Sequence, residues 1–419
     1  MLASCAPVNN ISNKKIDQIK SKSEKEMLKN QIEKLEKPNI SNEVLIKEKS
    51  NHYSDASIQN NITIILSKND NPEVVRQFIN VIELAVFKKK LTKISFEIKL
   101  YENLNQLNTF IDNSFLPGKI FIGPLNSKDT KVLEKYCDEG AIFFSFSSVT
   151  KLANKCFYLI NFFPENEVRT VFNYFPDNSK VALLYPENEY GFGINKIIDE
   201  IANQSNSVII NRASYNENIS NAAQAIKELG KYELRKYELN RQKKILANKK
   251  DIESKKRLKK LEKFQTTKDF DFTHVIIADY GLRLLQVAPL LPYYDIDPNI
   301  VRFVGTGAWD DEVFYDEPSL NGSIYPGIEY NKRKGLVEDY YNLYDEKLFR
   351  TSTLPYDLVG LLNFVIENNY NLSSLYKLLN KSNIRFAGVD GSFYFLNNII
   401  ERDLNILKIS NGKAINISK

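Results

Sequence analysis

The chain has 419 residues, of which 43% are hydrophobic, so it is long enough for two or three folded domains and too apolar for global disorder. Its net charge of +5 is uneven, because residues 231–268 carry 15 Lys or Arg and 5 Asp or Glu, a local charge of +10, which leaves −5 for the rest of the chain. A mildly acidic body excludes the usual basic nucleic-acid-binding surface, and two His and three Cys at scattered positions exclude a structural zinc site.

The first residues predict a lipid anchor followed by a tether. Residues 1–5 read MLASC, in which an aliphatic residue and two small residues precede a cysteine. This pattern resembles a bacterial lipobox, where the signal peptide is cut just before a cysteine that is then acylated. We therefore expect Cys5 to be lipidated and the rest of the signal peptide to be truncated in this sequence. Residues 6–60 are rich in Asn, Lys, Ser and Glu, contain one aromatic residue, Tyr53, and predict a flexible linker.

The body of the chain, from residue 61 onward, alternates short apolar segments with amphipathic ones. The apolar segments predict strands at 61–66, 94–101, 119–122, 141–145, 181–185, 207–213, 274–278 and 301–305. The amphipathic segments predict helices at 72–89, 129–139 and 191–203 and another that ends at 291. This alternation predicts parallel sheets covered by helices on both faces, and such sheets bind ligands at the carboxyl ends of their strands.

Four motifs together resemble the type I periplasmic binding proteins. The run VALLYPENEYGFG at 181–193 resembles the start of the second lobe in that family, and IGPL at 122–125 resembles the loop after its third strand. SFSS at 145–148 resembles the next cleft loop, and residues 388–412 are similar to the closing hairpin. The resemblance implies an α/β fold of two Rossmann-like lobes with parallel sheets. The lobes would be 61–163 with 328–383 (lobe 1) and 164–327 with 384–419 (lobe 2).

Residues 219–264 are far longer than the single helix that the family has at this place. A thin apolar stripe and a turn before Asp251, which can act as an N-cap, predict a basic helical hairpin inserted in lobe 2. One interpretation is a docking arm for an anionic surface such as lipid headgroups, or for an anionic partner. The other is a solvated pair of charged helices.

Segments 270–279, 288–295 and 305–311 are similar to the penicillin-binding-protein activator lipoproteins, most of all to the alphaproteobacterial form with its leucine-binding-protein-like domain. The similarity implies a non-enzymatic lipoprotein of the periplasm, anchored to a membrane, that regulates peptidoglycan synthesis by contact with a penicillin-binding protein, a peptidoglycan synthase. The alternative is a solute-binding protein of an amino-acid-type ABC transporter, which binds a small polar ligand such as an amino acid and delivers it to a permease. A third hypothesis is a scaffold without a ligand.

The sequence contains no recognisable enzyme motif. A Gly-x-Ser-x-Gly elbow and a phosphate-binding P-loop are both absent. Gly191-Phe192-Gly193 matches part of a dinucleotide fingerprint, but Lys196 stands where the third glycine is needed. His274 opens an apolar strand, where a structural role is expected. We therefore predict no catalytic residue, no cofactor, no metal and no nucleic-acid partner.

The family resemblance implies a ligand cleft between the lobes. The residues expected there are Gly123, Pro124, Ser145, Ser147, Ser148, Tyr190, Asp279 and Trp309. In amino-acid-binding relatives hydroxyl groups hold the ligand carboxylate and an acidic residue holds the ammonium, roles that fall here to Ser147, Ser148 and Asp279. Trp309 is equally well explained as a core anchor. The loop 67–70 lacks the glycine common in ligand-binding relatives, which weakens the expectation of a small polar ligand.

Cys137 and Cys156 are the cysteines of the predicted lobes. Their number allows one disulfide. A buried free thiol is nevertheless the commoner state, so the sequence leaves their pairing open and favours two free thiols.

Overall fold

A computed structural model describes residues 55–154, 156–381 and 383–418, which fall in one compact unit beginning at Asp55. The predicted lipidation site, Cys5, and residues 6–54 of the predicted linker lie outside the described residues. The strands are β1 Asn61–Ser67, β2 Ser95–Tyr101, β3 Ile120–Ile122, β4 Ile142–Ser145, β5 Phe157–Leu159, β6 Lys180–Pro186, β7 Val208–Tyr215, β8 His274–Ile277, β9 Arg302–Val304, β10 Ile324–Gly327, β11 Phe393–Leu396, β12 Ile399–Arg402, β13 Asn405–Ser410 and β14 Lys413–Asn416.

Helices lie between most of the strands as far as β10, and three helices follow one another between β10 and β11. They are α1 Pro72–Lys88, α2 Leu104–Ser114, α3 Ser127–Val132, α4 Pro164–Tyr174, α5 Glu189–Ala202, α6 Ala222–Leu229, α7 Tyr232–Ala247, α8 Ile252–Leu261, α9 Gly281–Val287, α10 Leu290–Tyr293, α11 Tyr330–Tyr344, α12 Leu354–Glu367 and α13 Leu372–Leu379.

The strands form two seven-stranded sheets of matching order. The first runs β11-β12-β5-β4-β3-β1-β2 and the second β14-β13-β10-β9-β8-β6-β7. Every neighbouring pair is parallel except β11–β12 in the first sheet and β10–β13 and β13–β14 in the second. The predicted α/β fold with two Rossmann-like lobes and largely parallel sheets is therefore confirmed.

Local sequence explains the first strand and helix. In β1 six of the seven residues are buried, as expected for a central strand covered by helices on both faces. The side chain of Asn71 accepts hydrogen bonds from the backbone N–H groups of Glu73 and Val74, and Pro72 occupies the first turn of α1. This cap satisfies two of the backbone N–H groups that a helix leaves unpaired at its start. Together with Pro72 it fixes the start of α1 shortly after the end of β1.

The second sheet is packed on both faces. One face carries α4 and α5 through an apolar cluster that includes Val171, Phe172, Ile194 and Ile198. The other carries α6 and α9 through a larger cluster in which Trp309 is fully buried. Burial on both faces fixes the register of the strands and therefore the positions of the loops at their carboxyl ends.

The antiparallel hairpin β11–β12 belongs to the first sheet. The sequence assigned all of 384–419 to lobe 2, and this assignment is wrong for 393–402. β12 pairs in parallel with β5, with Ile399 opposite Leu159, whereas β13 and β14 extend the second sheet. Both hairpins are short and contain apolar residues, so hydrophobic patterning alone cannot show which sheet edge each one completes.

The predicted insert contains a helical hairpin. α6 lies against β7, and the two arms of the hairpin are α7 and α8, which pack on each other. Asp251 caps α8, since its carboxylate accepts a hydrogen bond from Ser254 N at 2.7 Å. The base is held by the buried Arg235, whose guanidinium donates to Gly230 O at 2.6 Å and to Tyr294 O at 3.1 Å. The hairpin is therefore fixed to the lobe at its base.

Cys137 and Cys156 are joined in a disulfide with their Cα atoms 5.2 Å apart, so the favoured expectation of two free thiols is wrong. The pair joins the end of the segment before β4 to the residue before β5, two neighbouring strands. In the part of the chain that the structure describes, no helix is long and apolar enough to cross a membrane.

Candidate functional site

Five of the eight predicted cleft residues fall at the ends of β3 and β4 or in the loops that follow these strands. Gly123 has a φ of +107°, and a Cβ placed on it would lie 2.1 Å from the carbonyl oxygen of Ile65. The buried hydroxyl of Ser145 donates to Pro124 O at 3.1 Å and lies 2.7 Å from the hydroxyl of Thr130. Gly123, Pro124 and Ser145 are all buried, and their contacts shape the loop.

Ser147 and Ser148 differ in their surroundings. The Ser147 hydroxyl is buried, lies 2.8 Å from the hydroxyl of Ser127 and accepts a hydrogen bond from Val149 N at 3.1 Å. Ser148 is exposed, and it is the one residue of the predicted set of eight with that degree of exposure. Of the two hydroxyls expected to hold a ligand carboxylate, only that of Ser148 is open to solvent.

Asp279, the residue expected to hold a ligand ammonium, is fully buried and already paired. Its carboxylate accepts hydrogen bonds from Arg283 Nε at 2.8 and 2.9 Å, from Tyr280 N at 2.8 Å and from the hydroxyl of Tyr215. The hydrogen bond to Asp279 raises the pKa of Arg283, while burial and the charge of Asp279 raise the pKa of Tyr215. Both partners therefore stay protonated, and a ligand ammonium would have to displace the guanidinium.

Trp309 and Tyr190 complete the second-lobe part of the predicted set. Trp309 is fully buried, its indole N–H donates to Asp279 O at 3.0 Å, and a Cβ on Gly305 would lie 2.0 Å from its ring. It is a core anchor of the second lobe. The Tyr190 hydroxyl lies 2.6 Å from the hydroxyl of Thr306, and its ring meets Tyr280 edge to face with centroids 4.8 Å apart.

His274 is a structural residue of β8. Its Nδ1 lies 2.8 Å from the hydroxyl of Thr273, and its ring packs on Phe175 with centroids 4.4 Å apart. Burial lowers the pKa of His274 to about 4, so the ring is neutral at pH 7. Among the described residues no group of three or more His, Cys, Asp or Glu side chains could hold a metal ion.

A buried set of charges, which we name the interlobe network, joins the two lobes. It consists of Asp310, Arg333, Arg350 and Asp390. Arg333 lies on α11, which packs on the first lobe, and it contacts Asp310 in the second lobe at 2.7 Å. It also contacts Asp390 at 3.1 Å, in the segment before β11 that pairs with the first sheet through Phe386 and Phe393 and so also belongs to the first lobe. Arg350 donates to Gly307 O at 2.5 Å and lies 3.6 Å from the Asp310 carboxylate. Separating the lobes at this point would expose or unpair these charges.

A second buried pair lies beside the network. Arg402, at the end of β12, contacts the Asp357 carboxylate at 3.2 Å and donates to Asp390 O at 3.3 Å. Burial raises the pKa of Asp357 to about 6, although the charge of Arg402 acts in the opposite direction. Val389 N also donates to the Asp357 carboxylate, at 2.7 Å.

A groove of about 860 Å³ lies between α11 and the second lobe. Its walls come from the loop that contains Asp310 and Tyr315, from one side of α11 and from residues 346–350. Three partly exposed aromatic residues contribute to it: Tyr330, Tyr341 and Phe349. The eight predicted cleft residues take no part in lining it, so the groove is distinct from the predicted cleft.

Sequence reasoning missed the interlobe network and the groove. For the buried pair beside the network, the sequence did contain a signal: Asp357 is a charged residue within the apolar run LPYDLVGLLNFV. Such a charge predicts a buried partner, because an unpaired buried carboxylate is costly. The partner is Arg402, and nothing in the local sequence identifies a residue that far along the chain. Asp279 and Arg283 are four residues apart, the spacing of neighbouring residues on a helix, so their pairing could have been predicted from the sequence.

The two lobes, with their seven-stranded sheets of matching order and the loops at the strand ends, define the type I periplasmic-binding-protein fold. A protein of Rhodospirillum rubrum described as a branched-chain amino acid ABC transporter superimposes with a TM-score of 0.65 at 14% identity, covering 86% of this chain and all of that one. The resemblance predicted from the sequence is confirmed at the level of the fold.

Structures of LpoA share this fold. Full-length LpoA of Haemophilus influenzae gives a TM-score of 0.59 at 12% identity, covering 88% of this chain and 60% of that one. The C-domain of LpoA, described as a regulator of PBP1A, gives 0.56 at 12% identity, with coverage of 85% and 99%. An uncharacterised protein of Rickettsia prowazekii is 22% identical over 366 residues, which is 85% of this chain and 88% of that one. No protein-family model matches the chain.

Proposed function

We propose that this protein is a non-enzymatic lipoprotein of the periplasm that regulates peptidoglycan synthesis by contact with a penicillin-binding protein. The observation that carries the proposal is the internal pairing of the predicted ligand positions. Asp279 is held by Arg283 and Tyr215, and the Ser145 and Ser147 hydroxyls are bonded to neighbouring protein atoms. A cleft whose polar groups are satisfied from within the protein has little to offer a small polar ligand.

The interlobe network supports the same conclusion. A solute-binding protein opens and closes about a hinge between its lobes. Here the Arg333 guanidinium contacts carboxylates on both sides of the junction, with side chains that are 9% exposed for Arg333 and 2% for Asp310. Opening at this point would strip a buried charge of its partner, which is costly. A fixed arrangement of lobes suits a protein that presents a surface to another protein.

The groove beside α11 is where we expect the synthase to bind. Tyr341 is 55% exposed and Phe349 is 39% exposed, and aromatic side chains of this kind are common anchors in protein interfaces. The similarity in fold to LpoA supports a penicillin-binding protein as the partner. The anchor through Cys5 would keep the body close to that membrane-bound enzyme.

The test is a peptidoglycan polymerisation and cross-linking assay with the bifunctional penicillin-binding protein of the same cell. Addition of the full chain should raise the rate, and Tyr341→Ala with Phe349→Ala should abolish the increase. Phe87→Ala is the matched control, because Phe87 is an exposed aromatic residue of the first lobe outside the groove. No effect of the full chain on either reaction would sink the proposal.

The second candidate is a solute-binding protein of an amino-acid ABC transporter, and the exposed hydroxyl of Ser148 favours it. Thermal melting of the full chain against free amino acids separates the two candidates. A ligand at 100 times its dissociation constant stabilises the folded state by about 2.7 kcal/mol. The regulator proposal predicts a flat panel. A stabilising amino acid whose effect disappears in Ser148→Ala would establish the transporter role instead.

A further inference from the structure

The outer face of α8 is a row of lysines with an isoleucine at its end. Ile252, Lys255, Lys256, Lys259 and Lys260 follow one another at intervals of three and four residues or are adjacent, so they share one side of the helix. We name this set the lysine face. All five residues are exposed, and Ile252 is 72% exposed. The side of α8 that packs on α7 carries the less exposed residues of the helix, among them Leu258 and Leu261.

The charge of the lysine face is not neutralised within the protein. None of its four lysines has an ion pair or a hydrogen bond in the part of the chain that the structure describes. Of the three acidic residues at 248–263, Asp251 is engaged as the N-cap of α8, and among the described residues neither Glu253 nor Glu262 forms an ion pair with these lysines. Residues 248–263 carry eight Lys or Arg and three Asp or Glu, a local charge of +5.

The hairpin holds this face on a fixed base. Arg235 is 5% exposed and donates to four oxygen atoms, among them Thr266 Oγ1 at 2.7 Å and Thr267 O at 2.9 Å. Lys243 ties α7 to the chain beyond α8 by donating to Phe264 O at 3.1 Å. At 1.5 Å per residue the 16 residues of α7 span roughly 24 Å. The positions of the charges are therefore set before any partner arrives.

We propose that the lysine face binds an anionic lipid membrane, with Ile252 entering the headgroup region and the lysines contacting lipid phosphates. This inference goes beyond the contact with a synthase. Lys is depleted in protein interfaces and Arg is enriched, because the Arg fork pairs with carboxylates in two places at once, and this face has no Arg. A lysine row beside an exposed aliphatic residue matches an interfacial membrane-binding helix, in which the apolar stems of the lysines also lie along the interface.

The experiment is vesicle co-sedimentation of the full chain carrying Cys5→Ser, so that no acyl chain contributes. The vesicles are either pure phosphatidylcholine or equal parts phosphatidylcholine and phosphatidylglycerol. Binding should require phosphatidylglycerol and weaken with added salt, since the attraction is screened. Each lysine near an anionic surface contributes about five-fold in affinity, so the quadruple variant Lys255→Gln, Lys256→Gln, Lys259→Gln and Lys260→Gln should bind several hundred-fold more weakly.

Two further variants keep the test specific. The same four lysines changed to Arg should bind as the parent does, because charge alone is required. Exposed lysines elsewhere, Lys128, Lys131, Lys332 and Lys377, changed together to Gln give the same loss of charge and should have little effect. Equal weakening by the two glutamine variants would overturn the proposal. The proposal would also be overturned if the parent chain did not bind the vesicles and bound polyglutamate instead, because that result would indicate an acidic protein partner.

Discussion

Replacing Arg333 with Met should destabilise the fold by about 3–5 kcal/mol, the cost typical of breaking a buried ion pair by removing one partner. The magnitude follows from the burial of what remains. The Asp310 and Asp390 side chains are 2% and 0% exposed, so neither carboxylate can be rehydrated in place. Asp310 keeps hydrogen bonds from the hydroxyls of Tyr315 and Tyr325, at 3.2 and 3.5 Å, and a longer contact with Arg350, at 3.6 Å. Asp390 keeps the hydroxyl of Thr353, so neither carboxylate retains a close cationic partner.

Urea unfolding measures the loss. Far-ultraviolet circular dichroism reports the whole fold, and the fluorescence of Trp309 reports the second lobe next to Asp310. Coincident transitions would show that the lobes unfold together, and separate ones that the variant has uncoupled them. Arg169→Met is the matched control: Arg169 also contacts an acid across the lobes, Glu401 at 3.1 Å, but its side chain is 45% exposed. The Arg169→Met variant should lower the free energy of unfolding by less than about 1 kcal/mol.

A small loss of stability in Arg333→Met would contradict the prediction. A loss below about 1 kcal/mol, equal to that of Arg169→Met, would mean that the network contributes nothing and that the lobes are free to open. Adding Asp390→Asn to Arg333→Met should recover part of the loss, because it removes one of the two stranded charges. The absence of any recovery would also refute the reasoning.

Three further predictions concern single sites. Gly123→Ala should destabilise by about 1–3 kcal/mol, because the new Cβ meets the Ile65 carbonyl oxygen and the φ of +107° suits only glycine, and urea unfolding that matched the parent would contradict this. The folded state lowers the pKa of His274 to about 4, so its contribution to stability is present above pH 6.5 and is lost as the pH falls towards 4. His274→Phe should flatten that part of the stability profile, and an unchanged slope would assign it to other groups. The double variant Cys137→Ser with Cys156→Ser should lower the free energy of unfolding by about 3 kcal/mol. If loss of the disulfide causes this change, mild reduction of the parent should give the same urea midpoint as the double variant.

The parts of the fold that depend on nearby residues could be predicted from the sequence. The strand and helix pattern around VALLY at 181–185 and the cap at Asp251 are both local, and both are present in the structure. The edge on which β11–β12 lies was predicted wrongly, because it depends on a pairing with β5, more than two hundred residues earlier. The predicted cleft shows the same division, since the sequence proposed Asp279 as a cleft residue but not its pairing with Tyr215, which lies far from it in the chain.

The order of strands has a consequence for how the protein is made. Each sheet receives strands from near the end of the chain: β11 and β12 in the first and β13 and β14 in the second. Neither sheet is complete until residues 393–416 have been made, so the nascent chain carries two open sheet edges until then. A chain that stops before residue 393 lacks strands of both sheets, so it contains no intact lobe. Such a chain is suited to staying unfolded until the strands that complete both sheets have been synthesised.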